Sequence, residues 1–407
     1  MSSFVVMGGK PLSGCVTVSG AKNSALPILF SSIAAKGISK IHNIPNIGDV
    51  KVAIQLLEGF GADVKLDGTT LIVDTSNLNY REPTEKLTCS LRASTYLIGA
   101  TLARFGRANI GLYGGCNFAP RPIDLHIYAM EEMGAERVGN SLFLKNTKDS
   151  HIVFPKTSVG ATVNALILAS SIEKKTIIDG CAIEPHILTL VDYLRKTGAK
   201  IEIENRRIVV YGRELEGREV VLNGDMIEAA TYHVISLMTG GNIVVCGYDI
   251  EELSAFCDMA ISSGASCENL DTGTRFYGEM TTTVDITASP YPGFATDLCP
   301  ICAPLLAAFK GGFVRDLVFP TRFGYLSELA LFGLSYSRLD GGVHIHPSHI
   351  HSACATAPDL RGGMAALILA LNAKGRSVIH SAEILMRGYA NLCDKLSSLG
   401  AEIDFFN

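Results

Sequence analysis

Hydrophobic and polar positions follow two alternating regimes along this chain. Six stretches are apolar on nearly every side, and Ala165-Leu-Ile-Leu-Ala169 is typical of them. They lie within residues 25–44, 94–111, 163–180, 230–247, 298–317 and 363–382. Each predicts a helix with no wet face, and therefore a buried one, then a small turn and a strand. After each comes a segment with one apolar stripe, which predicts a solvent-facing helix. Those segments end at Gly61-Ala62, Gly134-Ala135, Gly198-Ala199, Gly264-Ala265, Gly333-Leu334 and Gly400-Ala401. A glycine there suits the left-handed residue that terminates a helix. Short runs of period two follow, such as Lys200-Ile-Glu-Ile-Glu204 and Arg207-Ile-Val-Val-Tyr211, and these predict strands.

The terminating glycines stand 73, 64, 66, 69 and 67 residues apart. One such ending is ordinary punctuation, but six at nearly constant spacing define a repeat. The unit reads as β-α-β-α-β-β, so the fold class is α/β (α+β). Three units fill a body of about 200 residues, and six make two similar domains. The polar Leu222-Asn-Gly-Asp225 marks the join. This gives one domain over residues 22–223 and a second from residues 1–21 with 224–407. Phe4-Val-Val6 and Cys15-Val-Thr-Val-Ser19 are left over before the first unit and are expected to close the last. Both crossings then fall near residues 20 and 224, and a cleft between the bodies is the expected ligand site.

Composition narrows the function classes. The 407 residues are 47% hydrophobic and 18% charged, with net charge -5, which argues against a general nucleic-acid or anionic-membrane surface. No apolar run reaches the length of a membrane span, and the first residues lack a signal peptide's charged and apolar regions. Eleven scattered cysteines then point to reduced thiols in the cytoplasm.

The densest chemistry lies in Gly111-Leu-Tyr-Gly-Gly-Cys116-Asn-Phe-Ala-Pro-Arg121-Pro122-Ile123-Asp124-Leu125-His126. A cation such as Arg121 lowers a thiol's pKa and raises its reactivity, and Asp124 stands where a helix starts and a cap is wanted. The plainer reading is a Gly/Pro-rich turn that contains a cysteine. Lys22 and Asn23 in Ser19-Gly-Ala-Lys-Asn23 suit an anion at a helix start. Arginines precede apolar helices at Leu91-Arg92 and Leu360-Arg361, and others occur at Phe319-Pro-Thr-Arg322 and Met386-Arg387. A helix N-terminus repels a cation, so a shared anion gives these positions a reason. Asp297 and Asp225 read as helix caps or as a base beside a substrate hydroxyl. Lys156-Thr157-Ser158-Val159 reads as a capping turn or a diphosphate contact. Cys299-Pro-Ile-Cys302 reads as buried helix more than as a redox or zinc pair, and the histidines of residues 344–351 as solvent-facing strand more than metal ligands.

In this order these residues resemble the enolpyruvyl transferase family over the whole chain, most specifically Gly-Gly-Cys116 with Arg121-Pro-Ile-Asp-Leu-His126. The resemblance implies two domains of three βαβαββ units each, an inside-out α/β barrel. It also implies transfer of enolpyruvate from phosphoenolpyruvate to the 3-hydroxyl of UDP-N-acetylglucosamine in peptidoglycan synthesis, with no cofactor or metal. On that resemblance Lys22, Arg121 and Arg387 would hold the phosphate, and Arg322 and Arg361 would face the carboxylate. Cys116 would be the proton donor. Asn23, Arg92 and Asp297 would meet the amino sugar, with Asp297 near the accepting hydroxyl. Arg121, Pro122, Ile123, Asp124 and Leu125, with Lys156, Thr157, Ser158 and Val159, would hold uridine and diphosphate. Val318 would line the pocket. The expected partners are these small molecules, with no nucleic acid or membrane. The chain departs from the family pattern at Asn46 and Gly48, where lysines are usual, at Met226 for an arginine, at Cys299-Pro-Ile for Gln-Ala-Gln and at Pro320 for a glutamate. Another uridine nucleotide as acceptor, or a non-catalytic nucleotide-sugar-binding paralogue, are the alternatives.

Overall fold

The structure is a computed structural model that describes residues 2–111 and 122–406. Cys116 and Arg121 lie outside the described residues. The chain divides into two compact units, one formed by Gly20–Asn223 and the other by Met1–Ser19 with Gly224–Asn407.

In the second of these units three helices, Met226–Thr239, Leu298–Ala308 and Leu360–Asn372, pack against one another. All three are buried along nearly their whole length. Their apolar surface on every side leaves no other stable location. In the Gly20–Asn223 unit the equivalent helices are Lys22–Ser31, Leu97–Phe105 and Val159–Ser171, with Leu97–Phe105 against both others. A 3-10 turn, Arg92–Tyr96, leads into that middle helix.

Each unit carries three small sheets, all mixed except that of Arg107–Asn109, Ser141–Leu144 and Ala135–Val138, which is antiparallel among the described residues. Five of the six are four-stranded, and one among the described residues is three-stranded. The sheet of the third repeat shows the pattern: Ser150–Val153 runs parallel to Lys175–Asp179, which pairs antiparallel with Arg207–Tyr211, and that strand with Lys200–Glu204. This is the β-α-β-α-β-β unit of the sequence pattern. All six terminating glycines have positive φ, from +92° at Gly333 to +131° at Gly198. After four of them the next amide reaches back five residues to close the helix: Ala62 to Leu57, Ala199 to Leu194, Ala265 to Ala260 and Ala401 to Leu396. That is the Schellman ending which glycine permits at low steric cost.

The strands near the crossings are shared differently from the expectation. Ser3–Gly8 does close the last repeat, antiparallel between Gly375–His380 and Glu402–Phe406. Ser13–Thr17 instead runs parallel to Asn242–Cys246 and opens the fourth repeat. Likewise Glu219–Val221 lies parallel to Ile38–His42 and opens the first. Parallel neighbours need a crossover helix between them. For the pair 13–17 and 242–246 that helix is Met226–Thr239, with the whole Gly20–Asn223 unit inserted before it.

Candidate active site

Asp225 and Asp297 both stand at helix starts, and the structure gives them different tasks. Asp225 is a cap, its Oδ1 accepting from the amides of Ile227 and Glu228 at 2.8 and 3.2 Å. Asp297 makes no capping hydrogen bond. Its Oδ1 accepts from Arg322 Nη1 at 2.8 Å and its Oδ2 from Arg361 Nε at 3.0 Å. Side-chain exposure is 3% for Arg322 and 2% for Arg361, against 29% for Asp297. Two buried cations therefore hold one carboxylate whose edge reaches solvent.

The rest of the clamp is set by neighbouring caps. Asp359 caps the helix that carries Arg361, its Oδ1 accepting from the Arg361 and Gly362 amides at 2.9 and 3.0 Å. That negative charge offsets the cost of an arginine in a first helical turn. Burial works to lower the Arg361 pKa, but Tyr389, Asp297 and Asp225 outweigh it and hold the group above its usual range. Arg322 is likewise raised, burial being overcome chiefly by Asp297. Nη1 and Nη2 of Arg361 are buried and complete no hydrogen bond among the described residues. Such donors are costly to leave unmade, and two of them side by side match a planar anion.

Asp316 organises the loop leading to Arg322. Its Oδ1 accepts from the amides of Val318 and Phe319 at 2.8 and 2.7 Å, and its Oδ2 from the Thr296 hydroxyl. Val318 is 37% exposed on that loop. Arg387 ends the 3-10 turn Ala382–Arg387 in the same unit, half-buried. Pro320 is exposed, and Met226 is half-buried in the first turn of its helix.

In the Gly20–Asn223 unit, Lys22 begins a buried helix and its Nζ lies 3.5 Å from Asp49 Oδ2. Asn23 follows on the same turn, half-buried. Asn46 is exposed and Gly48 starts the helix carrying Asp49. A second cluster forms around His126. The imidazole is buried, and Asn164 Nδ2 donates to its Nδ1 at 2.8 Å. Burial, reinforced by the charge of Arg92 and opposed by Asp124, lowers the His126 pKa to about 4. The ring is therefore neutral at pH 7, with its proton on Nε2. Asn164 Oδ1 accepts from the Gly99 amide at 2.6 Å, so one asparagine ties two helices to the imidazole. Gly160 lies so close that a Cβ there would sit 2.7 Å from His126 Cε1, so only glycine fits.

The structure thus brings Arg92, Asp124 and the start of the Val159–Ser171 helix together around His126. Asp124 is a first-turn residue and not the cap, which is Ile123 without a side-chain bond; Pro122 is exposed and Leu125 buried. Ser158 caps its helix, accepting from the Ala161 amide at 3.3 Å. Thr157 receives Arg206 Nη1 at 3.4 Å, and Lys156 is exposed.

The plainer readings hold elsewhere. Cys299 and Cys302 are buried in their helix, where burial pushes both thiols up. His344 and His346 share the half-exposed face of Gly342–His346, where His346 Nε2 meets the Ser337 hydroxyl at 2.8 Å. No group of three metal-capable side chains is found among the described residues.

The family model for EPSP synthase (3-phosphoshikimate 1-carboxyvinyltransferase) matches residues 6–396. The chain belongs to this family of enolpyruvyl transferases. It is 36% identical to UDP-N-acetylglucosamine 1-carboxyvinyltransferase 2 of Staphylococcus aureus strain Mu50, over 98% of this chain and 97% of that one. To the protein of the same name from Streptococcus mutans it is 37% identical, over 99% of each. Among solved structures, the enolpyruvyl transferase NikO from Streptomyces tendae aligns with TM-score 0.87 at 23% identity, covering 99% of this chain and 98% of that one. EPSP synthase from Acinetobacter baumannii aligns with TM-score 0.74 at 16% identity, over the full length of both. At those identities the structural likeness speaks for the fold alone.

In this enolpyruvyl transferase several site neighbours carried no local sequence signal. Asp359 and Asp316 were not singled out in the sequence, and His126 appeared only as the end of a motif. The Arg361 guanidinium lies over the Tyr389 ring at 5.3 Å, a pairing that the run Arg387-Gly-Tyr389, where the family resemblance ends, does not announce. Buried Glu228 accepts from Lys395 Nζ at 2.6 Å and from the Ser19 amide at 2.8 Å. Nothing in either segment announces that pairing.

No helix among the described residues is long and apolar enough to cross a membrane.

Proposed function

We propose that this chain transfers the enolpyruvyl group of phosphoenolpyruvate to the 3-hydroxyl of UDP-N-acetylglucosamine and releases phosphate, a cytoplasmic step of peptidoglycan synthesis. Full-length relatives of that name at 36–37% identity support the reading. The observation that carries it in the chain itself is Asp297. It is spared from capping and clamped by two buried arginines, one of which keeps two donors unfilled.

The chemistry assigns the roles. Protonation of the methylene carbon of phosphoenolpyruvate puts positive character on its neighbour, where an alcohol can then add. Cys116 supplies that proton. The substrate carboxylate takes the Nη pair of Arg361 with Arg322 beside it, which loosens their hold on Asp297. Asp297 then accepts the proton of the attacking hydroxyl. Lys22, Arg121 and Arg387 hold the phosphate, which leaves from the tetrahedral intermediate as its carbon–oxygen bond breaks. The methyl carbon returns a proton to the Cys116 thiolate to re-form the double bond, and the proton taken up by Asp297 leaves with the phosphate. Fixed charges of this kind stabilise the transition state without reorganising. Asn23 and Arg92 meet the amino sugar. Residues 121–125 and 156–159 hold uridine and diphosphate around the His126 cluster, and Val318 lines the pocket.

A second acceptor, another uridine nucleotide, is favoured by the altered residues Asn46, Gly48, Met226 and Pro320. Calorimetric titration with UDP-N-acetylglucosamine, UMP and shikimate 3-phosphate separates the readings. The first is expected to bind most tightly and the last not at all. Preference for UMP would replace the acceptor, and no binding of any uridine compound would discard the reading.

A further inference from the structure

Arg361 is among the largest fully buried side chains of the described residues, and it is fixed in three different ways. Nε is committed to Asp297 at 3.0 Å. Its backbone amide is committed to Asp359. The flat guanidinium lies 5.3 Å from the centroid of the Tyr389 ring, within the range of a cation–π contact, which strengthens when desolvated. Nη1 and Nη2 complete no hydrogen bond among the described residues, and the guanidinium lies close enough to the Tyr389 hydroxyl to oppose the rise that burial gives the phenol's pKa.

Tyr389 is itself fully buried and fixed from behind. Its hydroxyl meets Thr231 Oγ1 at 3.0 Å, and Thr231 Oγ1 in turn donates to the Ile227 carbonyl at 2.7 Å. The threonine has one hydroxyl proton and gives it to Ile227, so in the pair with Tyr389 the phenol is the donor. That orients the phenol group and ties residue 389 to the helix Met226–Thr239. The Tyr389 amide is held to the Leu385 carbonyl at 3.1 Å, across the turn that ends in Arg387. One aromatic residue thus joins a cap-bearing helix, the turn carrying Arg387 and the guanidinium of Arg361.

We propose that Tyr389 is a positioning residue: its ring, locked by Thr231, holds the Arg361 guanidinium so that Nη1 and Nη2 present a fixed pair of donors to the phosphoenolpyruvate carboxylate. The inference rests on the reading of Arg361 given above. It adds a residue that touches neither substrate but sets the geometry of one that does. A long arginine without that wall keeps its charge and its bond to Asp297, but its outer two nitrogens regain rotational freedom. The loss then falls on recognition of the planar carboxylate, where both donors must align.

The experiment is steady-state kinetics on the full chain with Tyr389→Phe, Tyr389→Leu, Thr231→Val, Arg361→Ala and the Tyr389→Leu/Arg361→Ala double variant. Near-ultraviolet circular dichroism and thermal melts of each verify folding. Tyr389→Leu is expected to raise KM for phosphoenolpyruvate about tenfold and to leave KM for the UDP-sugar within about twofold. Tyr389→Phe keeps the ring and loses the lock. It and Thr231→Val are expected to share a smaller rise of about threefold in the same constant. In the double variant the leucine should add nothing to the loss from Arg361→Ala, because both act on one contact. Additive effects in the double variant, or equal changes in both KM values, would make Tyr389 a core residue only and overturn the proposal. If Arg361→Ala alone leaves KM for phosphoenolpyruvate unchanged, the reading of Arg361 fails first and this proposal with it. Should Tyr389→Leu not fold, the phenylalanine and valine variants decide: no shift in either contradicts the locked ring.

Discussion

The Asp297 carboxylate and the Arg361 guanidinium meet at 3.0 Å, and of the two only the carboxylate reaches solvent. The buried guanidinium balances the carboxylate through Nε, and the carboxylate edge is the part that meets solvent. That asymmetry suits a base that must meet a substrate hydroxyl while its charge is balanced from within.

Removing the charge tests the clamp. Asp297→Asn keeps the size of the side chain but leaves Arg322 and Arg361 buried without their anion. Breaking one partner out of a buried pair costs roughly 3 kcal/mol or more. The variant should melt well below the parent, and its kcat should fall about 100-fold or further, as expected for a lost proton acceptor. Phosphoenolpyruvate supplies an alternative carboxylate, so adding it should raise the variant's melting temperature more than the parent's. Equal stability of variant and parent would show that the two arginines are neutralised by other groups.

Cys116 should be the cysteine that reacts first. Of the ten cysteines among the described residues, seven have thiols pushed up chiefly by burial, Cys181 and Cys257 to about 12 and Cys246 to about 11. Thiols held up in this way are poor nucleophiles at neutral pH. Cys116 is flanked in sequence by glycines and by Arg121. Fosfomycin, an epoxide phosphonate that mimics phosphoenolpyruvate, is expected to alkylate it, with the UDP-sugar present. Peptide mapping that places the label mainly on Cys15, Cys89 or Cys354, which are exposed, would contradict this.

The repeat was legible because its signal is local. Each terminating glycine announces a backbone state that L side chains rarely adopt, and all six adopt it. Helices apolar on every side could only be interior, and they are. The partners of the strands 13–17 and 219–221 were hidden, because parallel pairing is decided by a crossover that an inserted unit interrupts. Within the site, the sequence marked Asp297, Arg322 and Arg361 one by one. Their convergence spans 64 residues and depends on how the fifth and sixth repeats pack. The pairing of Tyr389 with Thr231, 158 residues apart, left no mark in the sequence, since nothing local to a tyrosine or a helical threonine shows that their hydroxyls will meet.

Acid should weaken the fold through His233. Burial among Phe256, Phe276 and Tyr248 lowers its pKa from 6.5 to about 3. Above pH 6.5 the ring is neutral in folded and unfolded chains alike, so it adds no pH dependence. Below 6.5 the unfolded chain takes up the proton and the folded one does not, so stability falls with pH until about 3. The expected slope is about 1.4 kcal/mol for each pH unit crossed. His233→Phe keeps the aromatic packing and removes the proton. Its plot of melting temperature against pH between 6.5 and 4 should be flatter than the parent's, and a parallel plot would mean that other groups carry the acid response.

Gly48 offers a gain-of-binding test. It begins the helix whose Asp49 lies 3.5 Å from Lys22, and the family resemblance implies a lysine at this position. Gly48→Lys should tighten phosphoenolpyruvate binding about tenfold, the worth of one charge-assisted contact. Affinity for the nucleotide sugar should stay unchanged. Calorimetry with each ligand reads both numbers, and an unchanged phosphoenolpyruvate affinity would place position 48 outside the site.

The most direct measurement is to incubate the protein with phosphoenolpyruvate and UDP-N-acetylglucosamine, follow phosphate release and weigh the product by mass spectrometry. The predicted result is one phosphate released for each nucleotide sugar that gains an enolpyruvyl ether, with both signals lost in Asp297→Asn. No phosphate release and an unmodified sugar, with a folded protein and both substrates saturating, would contradict the account.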